Sequence, residues 1–266
     1  MPLTRFTLLL LAALFAPAAA TDNKACLDAL FESAQPASGP ALNGQSISVL
    51  NWNIQKSSQP GWLEDLQRLA VGSDLVLLQE ATLEAELRDK LDSNYHAVFA
   101  PGYNSDEYRS GVLTVSSVAP DAHCTLSHDE PWLGTPKATN ISRYPISGQS
   151  EQLLVINLHG VNFSLNSTAL AQQLNDSSNL VSQHQGPVIF SGDFNTWSDI
   201  RMNMLQGFME SLGLQALDFP IDQRTQMFGN VLDHIYVRGL QVISAGTTEV
   251  DSSDHNPVHA TLSVGS

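Results

Sequence analysis

The sequence predicts an α/β domain built on mixed sheets, and three observations carry that expectation. Short β-branched and aromatic runs recur along the chain, some of them continuous enough for strands buried on both faces. Stretches with apolar residues at helical spacing separate several of these runs. Elsewhere strands follow one another with no helix between, which favours antiparallel pairs over a strict alternation of strand and helix.

Composition narrows the class before any motif is read. The 266 residues are 42% hydrophobic and 15% charged, with 27 acids against 12 bases and a formal net charge of −15. Such a chain buries enough apolar surface for one large domain and is not disordered. Two cysteines are too few for a disulfide scaffold. The acidity argues against a protein that holds polyphosphate on a broad basic surface, but not against an enzyme that meets phosphate through a metal ion.

Residues 1–20 carry a single charge, Arg5, then an apolar run from Phe6 to Phe15 and the small residues Ala18-Ala19-Ala20. That order is a secretory signal peptide, so the protein is expected to be periplasmic or secreted, without a stable membrane anchor. In an oxidising compartment Cys26 and Cys124 are expected to pair. His123, Cys124 and His128 lack a fourth partner for zinc. Residues 21–45 read as an N-terminal lead, Pro/Gly/Ser-rich from Ser33 to Gly44, and residues 46–266 as the functional domain.

Strands are expected at Ile47–Asn53, Leu75–Glu80 and Tyr95–Ala100, with helices at Trp62–Leu69 and Leu83–Leu91 between them. Further strands are expected at Gly111–Val115, Lys137–Ile146 and Leu153–Leu158. A helix from Ser167 to His184, capped by Asn166 or Ser167, precedes the buried strand Val188–Phe190. Ser198 is expected to cap a helix through Leu212 with Ile200, Leu205, Phe208 and Leu212 inward. Strands at Val231–Val237, Leu240–Ala245 and Val258–Val264 complete the chain. No exposed apolar hairpin or membrane-binding amphipathic helix stands out.

Polar residues recur where apolar strands end: Asn53, Glu80, His159, Asp193 and Asn195, with Asp254-His255 just before the last strand. Ligand sites in α/β folds gather at such ends. Glu80, Asn53 and Asp254 are hard oxygen donors suited to Mg²⁺, with Mn²⁺ as the alternative ion. His255, oriented by Asp233, is suited to take a proton from an attacking water. Asn195 and His159 are suited to bond phosphoryl oxygens where charge grows.

The motifs Asn51-Trp52-Asn53-Ile54, Leu78-Gln79-Glu80-Ala81, Gly192-Asp193-Phe194-Asn195, Leu232-Asp233-His234-Ile235 and Ser253-Asp254-His255-Asn256-Pro257 occur in that order. Together they resemble the motif series of the endonuclease/exonuclease/phosphatase superfamily over about residues 46–264. Within it, Leu153–Phe163 and Gly192–Arg201 are similar to the YafD-like bacterial branch. The resemblance implies a four-layer α/β/β/α sandwich of two mixed sheets with outer helices, of the DNase I-like kind. It implies Glu80, Asn53 and Asp254 at the metal, Asp193 positioning the nucleophilic water and Asn195 on the phosphate. It also implies His255 partnered by Asp233, a histidine role for His159, and a basic phosphate contact at Lys137 or Arg143. His234 stands where many relatives carry an aromatic residue, and strand alternation turns it away from the site if Asp233 faces it.

The expected function is therefore an exported divalent-metal-dependent phosphoesterase that hydrolyses a phosphodiester, with an endonuclease as the leading reading. A phospholipid or sphingomyelin phosphodiesterase and a small-molecule phosphatase are the alternatives within the enzyme class. A catalytically degenerate binding protein is the alternative outside it. The expected partner is a phosphate-ester substrate, DNA or RNA included, and the protein is expected to be a monomer.

Overall fold

The computed structural model describes residues 22–32, 39–82, 95–104, 109–131, 134–162 and 167–265. The expected signal peptide, the Leu83–Leu91 helix and Asn166 lie outside them. Two six-stranded mixed sheets face each other. The first has the order β13-β14-β1-β2-β4-β3, with β1 at Ile47–Asn53, β2 at Leu75–Thr82, β3 at His96–Asn104, β4 at Arg109–Ser116, β13 at Leu240–Thr247 and β14 at Val258–Val264. The second has the order β5-β6-β7-β8-β12-β9, with β5 at Ala122–Asp129, β6 at Pro136–Tyr144, β7 at Leu153–His159, β8 at Val188–Asp193, β9 at Gln215–Ala216 and β12 at Asp233–Arg238. In each sheet one central pair is parallel (β1 with β2, β7 with β8) and the other pairs are antiparallel.

Three cores define the layers. Ile47, Val49, Leu75 and Leu77 meet Val155, Ile189, Ile235 and Val237 between the sheets. Leu50, Trp52, Val76 and Leu78 point the other way and receive Trp62 and Leu66 of helix α2 (Trp62–Leu69). Behind the second sheet, Ile156, Leu158 and Phe190 pack against Leu170, Leu174 and Val181 of α3 (Thr168–Gln183) and Leu205 and Met209 of α4 (Asp199–Ser211). The strands thus alternate between two buried faces, and the fold is the expected α/β/β/α sandwich.

The N-terminal lead is part of this body. Helix α1 (Asn23–Leu27) continues as a π-helical turn through Glu32 and buries Cys26 and Leu30 on the second sheet. Cys26 and Cys124 form a disulfide with Cα atoms 5.4 Å apart. Arg143 reaches back to donate to Leu30 O at 2.5 Å and pairs with Asp121 at 3.0 Å.

Other expectations need correction. β5, an edge strand, is missing from the expected elements although Ala122-His123-Cys124-Thr125-Leu126-Ser127 alternates apolar and polar residues. The run Val231–Val237 is not one strand: Asn230–Val231 is β11, which closes a hairpin with β10 (Gln226–Met227), and β12 starts only at Asp233. Ile200 is exposed, because Arg201 turns inward with Leu205 and Met209. Ser198 caps α4 as expected, its side chain accepting from Arg201 N, whereas Ser167 precedes α3 in the left-handed region without a side-chain cap.

Candidate active site

Along five strands the side chains between the sheets change from apolar to polar as the strands reach one rim. β1 presents Val49, Asn51 and Asn53; β2 presents Leu75, Leu77 and Gln79; β7 presents Val155, Asn157 and His159. β8 presents Ile189, Ser191 and Asp193, and antiparallel β12 starts at Asp233. Period-two alternation, not chain proximity, assembles the site. Its floor is an amide layer in which Gln79 Nε2 donates to Asn51 Oδ1 at 2.9 Å and to Asn157 Oδ1 at 2.6 Å. Asn157 Nδ2 donates in turn to Leu113 O at 3.1 Å. The layer ties the sheets together where the apolar core ends, although Asn51 Nδ2 and Gln79 Oε1 are buried without a partner.

Glu80 breaks the alternation. Next to inward-facing Gln79 it belongs on the outer face, but it adopts φ 52° at a register shift between Leu78 and Ala81. A bulge of this kind re-aims one side chain, and Glu80 Oε1 comes within 3.7 Å of His159 Nε2. The register places His159 opposite Asp193 and Asp193 opposite Asp233. Gly192, between the two sheet neighbours of β8, has φ 152° and leaves only 1.9 Å between an added Cβ and Leu158 O. Glycine is what lets β7 and β8 approach there.

Five predicted residues converge. Asp193 accepts from Asn53 Nδ2 at 3.0 Å and from Asn195 N at 2.9 Å. Asn195 Nδ2 donates to Gly160 O at 2.9 Å. His255 Nδ1 lies 2.7 Å from Asp233 Oδ2, and its Nε2 faces Asp193 Oδ2 at 3.9 Å. Trp52 Nε1 donates to His255 O at 2.8 Å, and Ser253 Oγ donates to Asn53 O at 2.7 Å, so the last motif is pinned to the first. Burial alone would depress the His255 pKa, but the carboxylates of Asp233 and Asp193 outweigh it and raise it to about 10.

Lys137 and His159 form the opposite side. Their Nζ and Nε2 atoms are 2.8 Å apart. Burial, and then the Lys137 charge, hold the His159 pKa well below its ordinary value. His159 is therefore neutral, and its Nε2 accepts from the Lys137 ammonium rather than donating to a phosphate. Of the two predicted phosphate contacts Lys137 lies at the site. Arg143 does not: its guanidinium is spent on Asp121 and Leu30 behind the second sheet. Asp254 is exposed beside His255, and its backbone carbonyl accepts from Thr225 Oγ1 at 3.0 Å.

Sequence reasoning missed Lys56 and Glu130, and placed Arg201 beside the motifs without assigning it a defined role. Lys56 Nζ comes within 3.9 Å of Glu80 Oε2, carried by three successive left-handed residues, Gln55, Lys56 and Ser57. Nothing in their side-chain types signals that turn. Glu130, only 2% exposed, accepts from Asn162 N and Thr135 Oγ1 at 2.9 Å each and lies 4.0 Å from Lys137 Nζ. Arg201 donates to Asn195 O at 2.6 Å and also to Val161 O, bracing the loops that hold Asn195 and His159. A cleft of ≈ 380 Å³ opens beside Glu80, Lys56, Lys137, His159, Glu130 and Asn162.

The donor set suits a divalent cation. Burial raises the pKa of both Glu80 and Asp193, and the neighbouring cationic side chains do not fully offset it. Asp233 Oδ1 is buried without a hydrogen-bond partner. Among the described residues, Asp193, Asp233 and His255 bring three ligand atoms within 4.8 Å of one another. The short Asp233–His255 hydrogen bond already occupies two of these groups, so the oxygens of Glu80, Asn53 and Asp193 remain the better hard-ion donors.

A sequence profile described as the Endonuclease/Exonuclease/phosphatase family matches residues 50–255. The chain belongs to that family. Its members are hydrolases of phosphoester bonds and typically depend on a divalent metal. A UPF0294 protein of Yersinia pseudotuberculosis is 38% identical over 224 residues, covering 84% of this chain and 86% of that one. A UPF0294 protein of Klebsiella pneumoniae is 38% identical over 231 residues, covering 86% and 87%. Among solved structures, an endonuclease/exonuclease/phosphatase from Beutenbergia cavernae superposes with a TM-score of 0.63 at 16% identity, over 83% of this chain and 72% of that one. The human Nocturnin catalytic domain with bound sulfate superposes with a TM-score of 0.62 at 18% identity, over 85% and 97%. At those identities the likeness concerns the fold.

Proposed function

We propose that this family member is an exported, divalent-metal-dependent phosphodiesterase. The observation that carries the reading is the Asp233–His255 pair facing Asp193 Oδ2 across 3.9 Å. That gap is too long for a direct hydrogen bond and suits one water bonded to both groups. Asp233 fixes His255 with Nδ1 toward the carboxylate; a cation bound at the neighbouring carboxylates would offset the negative charge that keeps His255 protonated near neutral pH and so free Nε2 for the proton of the attacking water. Asn53 and Asn195 hold the Asp193 carboxylate so that it orients that water. Lys137 and Lys56 meet the negative charge of the phosphoryl group from the other side, and Glu130 holds Lys137 in place. A divalent ion bound by Glu80 and Asn53, with Asp254 or Asp193, would supply charge neutralisation at the phosphoryl and leaving oxygens.

The disulfide and the leader-like residues 1–20 support export. N-terminal sequencing of the protein recovered from the periplasm tests it, with cleavage after Ala20 as the expected result.

The two lysines at the cleft favour a nuclease as the second reading, since they would hold the scissile phosphate of a nucleic acid. The exposed acids Asp199, Asp222, Glu249 and Asp254 around the same rim favour an ester with little additional phosphate around it. The deciding experiment assays the mature chain with bis(p-nitrophenyl) phosphate, single-stranded and duplex DNA, and phosphatidylcholine vesicles, each with Mg²⁺ or Mn²⁺. Hydrolysis should vanish with chelator and fall by roughly 10²–10⁴-fold in His255→Ala. Undiminished turnover in that variant would refute the assignment of the site.

A further inference from the structure

Helix α4 opens on an exchange that apolar patterning does not explain. Its second residue, Ile200, is 73% exposed, while its third, Arg201, is 0% exposed. A guanidinium taken out of water is costly unless it is paired. A cation in the first turn of a helix also faces the positive end of the macrodipole. Among the described residues none of the side-chain hydrogen bonds of Arg201 goes to a carboxylate, and its Nη1 is buried without a partner. Burial lowers its pKa to about 10, which leaves it charged at neutral pH. A chain that accepts these costs together breaks its own local rules, and such breaks gather at functional sites.

What Arg201 touches belongs to the site. Its Nε donates to Asn195 O at 2.6 Å, and its Nη2 donates to Val161 O. Asn195 is left-handed, with φ 52°. From that conformation its N–H donates to Asp193 Oδ1 and its Nδ2 to Gly160 O, at 2.9 Å each. Gly160 N donates in turn to Asp193 O at 2.7 Å. One guanidinium thus ties together the loops that leave β7 and β8, with His159 at the root of one and Asp193 at the root of the other. Trp197 covers it, with the ring centroid 5.3 Å from Arg201 Cζ. Trp197 is held by Asn162 Oδ1 at 2.9 Å and met edge-on by exposed Phe228 of the left-handed β10–β11 turn. A lysine ammonium is a point donor and does not span the two carbonyls as the planar fork does.

We propose that Arg201 is a positioning residue for hydrolysis. By holding the left-handed turn at Asn195, it keeps the Asn195 amide and the Asp193 carboxylate where the phosphoryl group and the attacking water need them. Buried behind Asn195, it acts through that residue and not on the substrate. Orientation of this kind counts most in the transition state, so its loss lowers turnover and leaves substrate binding nearly unchanged.

The inference rests on the phosphodiesterase reading, and amide hydrogen exchange tests it separately from turnover. With bis(p-nitrophenyl) phosphate and Mn²⁺, Arg201→Gln should lower kcat by roughly 10²-fold, the order that a small misplacement costs, with KM within about twofold of the wild type. Arg201→Lys, which keeps the charge and one of the two bonds, should fold as the wild type does and lose roughly tenfold in kcat. Asn195→Gly removes the amide and accepts the left-handed backbone. Adding Arg201→Gln to it should cost no more than about twofold further, because the two residues act as one unit, whereas independent roles would multiply the losses. Without substrate, the amide protons of Asn195 and Gly160 should exchange roughly tenfold faster in Arg201→Gln and Arg201→Lys, while those of β1 keep their wild-type rates. Wild-type kcat in either Arg201 variant would overturn the proposal. So would a loss confined to KM, or multiplied losses in the double variant. A wild-type chain that hydrolyses no phosphodiester refutes the enzyme reading, whereas unchanged exchange at Asn195 and Gly160 refutes the role of Arg201 whatever the substrate.

Discussion

His234 and Asp233 are neighbours with opposite fates. Asp233 faces the site. His234 faces the helix side, where its Nε2 lies 2.9 Å from Thr196 Oγ1 and its ring contacts Phe194 and Tyr236. Burial depresses the His234 pKa to about 3. The unfolded chain takes up this proton near pH 6.5 and the folded chain only near pH 3, so protonation favours unfolding throughout that window. The stability that the neutral ring contributes is fully present above about pH 6.5 and is lost as pH falls toward 3. The loss is on the order of 5 kcal/mol. His234→Phe should therefore move the acid-unfolding midpoint to lower pH, at a cost of about 1 kcal/mol near neutrality from the lost Thr196 hydrogen bond. Circular dichroism followed from pH 7 to pH 2.5 reads both effects, and an unchanged acid midpoint would contradict the account.

Two elements carry more than periodicity shows. α1 is tied to β5 by the disulfide and by packing on the second sheet, and the sequence separation between Cys26 and Cys124 is 98 residues. Closing a loop of that length restricts the unfolded chain by about 4–5 kcal/mol in the chain-entropy description. Reduction, or Cys26→Ser with Cys124→Ser, should lower the urea midpoint accordingly without changing the hydrolysis rate per folded molecule. A loss well under 1 kcal/mol would show that the unfolded chain is already compact there. The β10–β11 hairpin is the other such element. Its apolar residues number too few for a pattern, and only the left-handed turn in the folded chain sets Phe228 outward.

At the scale of the whole molecule, two sheets bring buried carboxylates to one rim, and folding there should be coupled to a cation. Mg²⁺ or Mn²⁺ at about 100 times its dissociation constant should stabilise the chain by about 2.7 kcal/mol, and chelator should reverse the gain. Differential scanning fluorimetry measures this without any substrate. Glu80→Gln should abolish the shift, and comparing Asp193→Asn with Asp254→Asn identifies the aspartate that shares the ion. A wild-type Tm indifferent to both metals would remove the case for a resident cation.

The layered fold and most of the site were legible in the chain itself, because both rest on local rules. Val49-Leu50-Asn51-Trp52-Asn53 and Val188–Asp193 state a strand, its two buried faces and the polar residue at its end, and the motif order states the family. Lys137 and Arg143 looked equivalent in sequence; only the distance between them along β6 separates a cleft from the back of a sheet. Lys56 and Glu80 reach the site through left-handed backbone, and Glu130 through a loop, none of which has a periodic signature. Alternation and motif spacing are properties of neighbouring residues, so sequence alone determined the fold class and the names of the principal catalytic candidates. Which lysine faces phosphate, which histidine is neutral and which apolar side chain stands in water depend on elements distant in the chain. Tertiary structure decided those, because burial and charge are set by everything that packs around a residue.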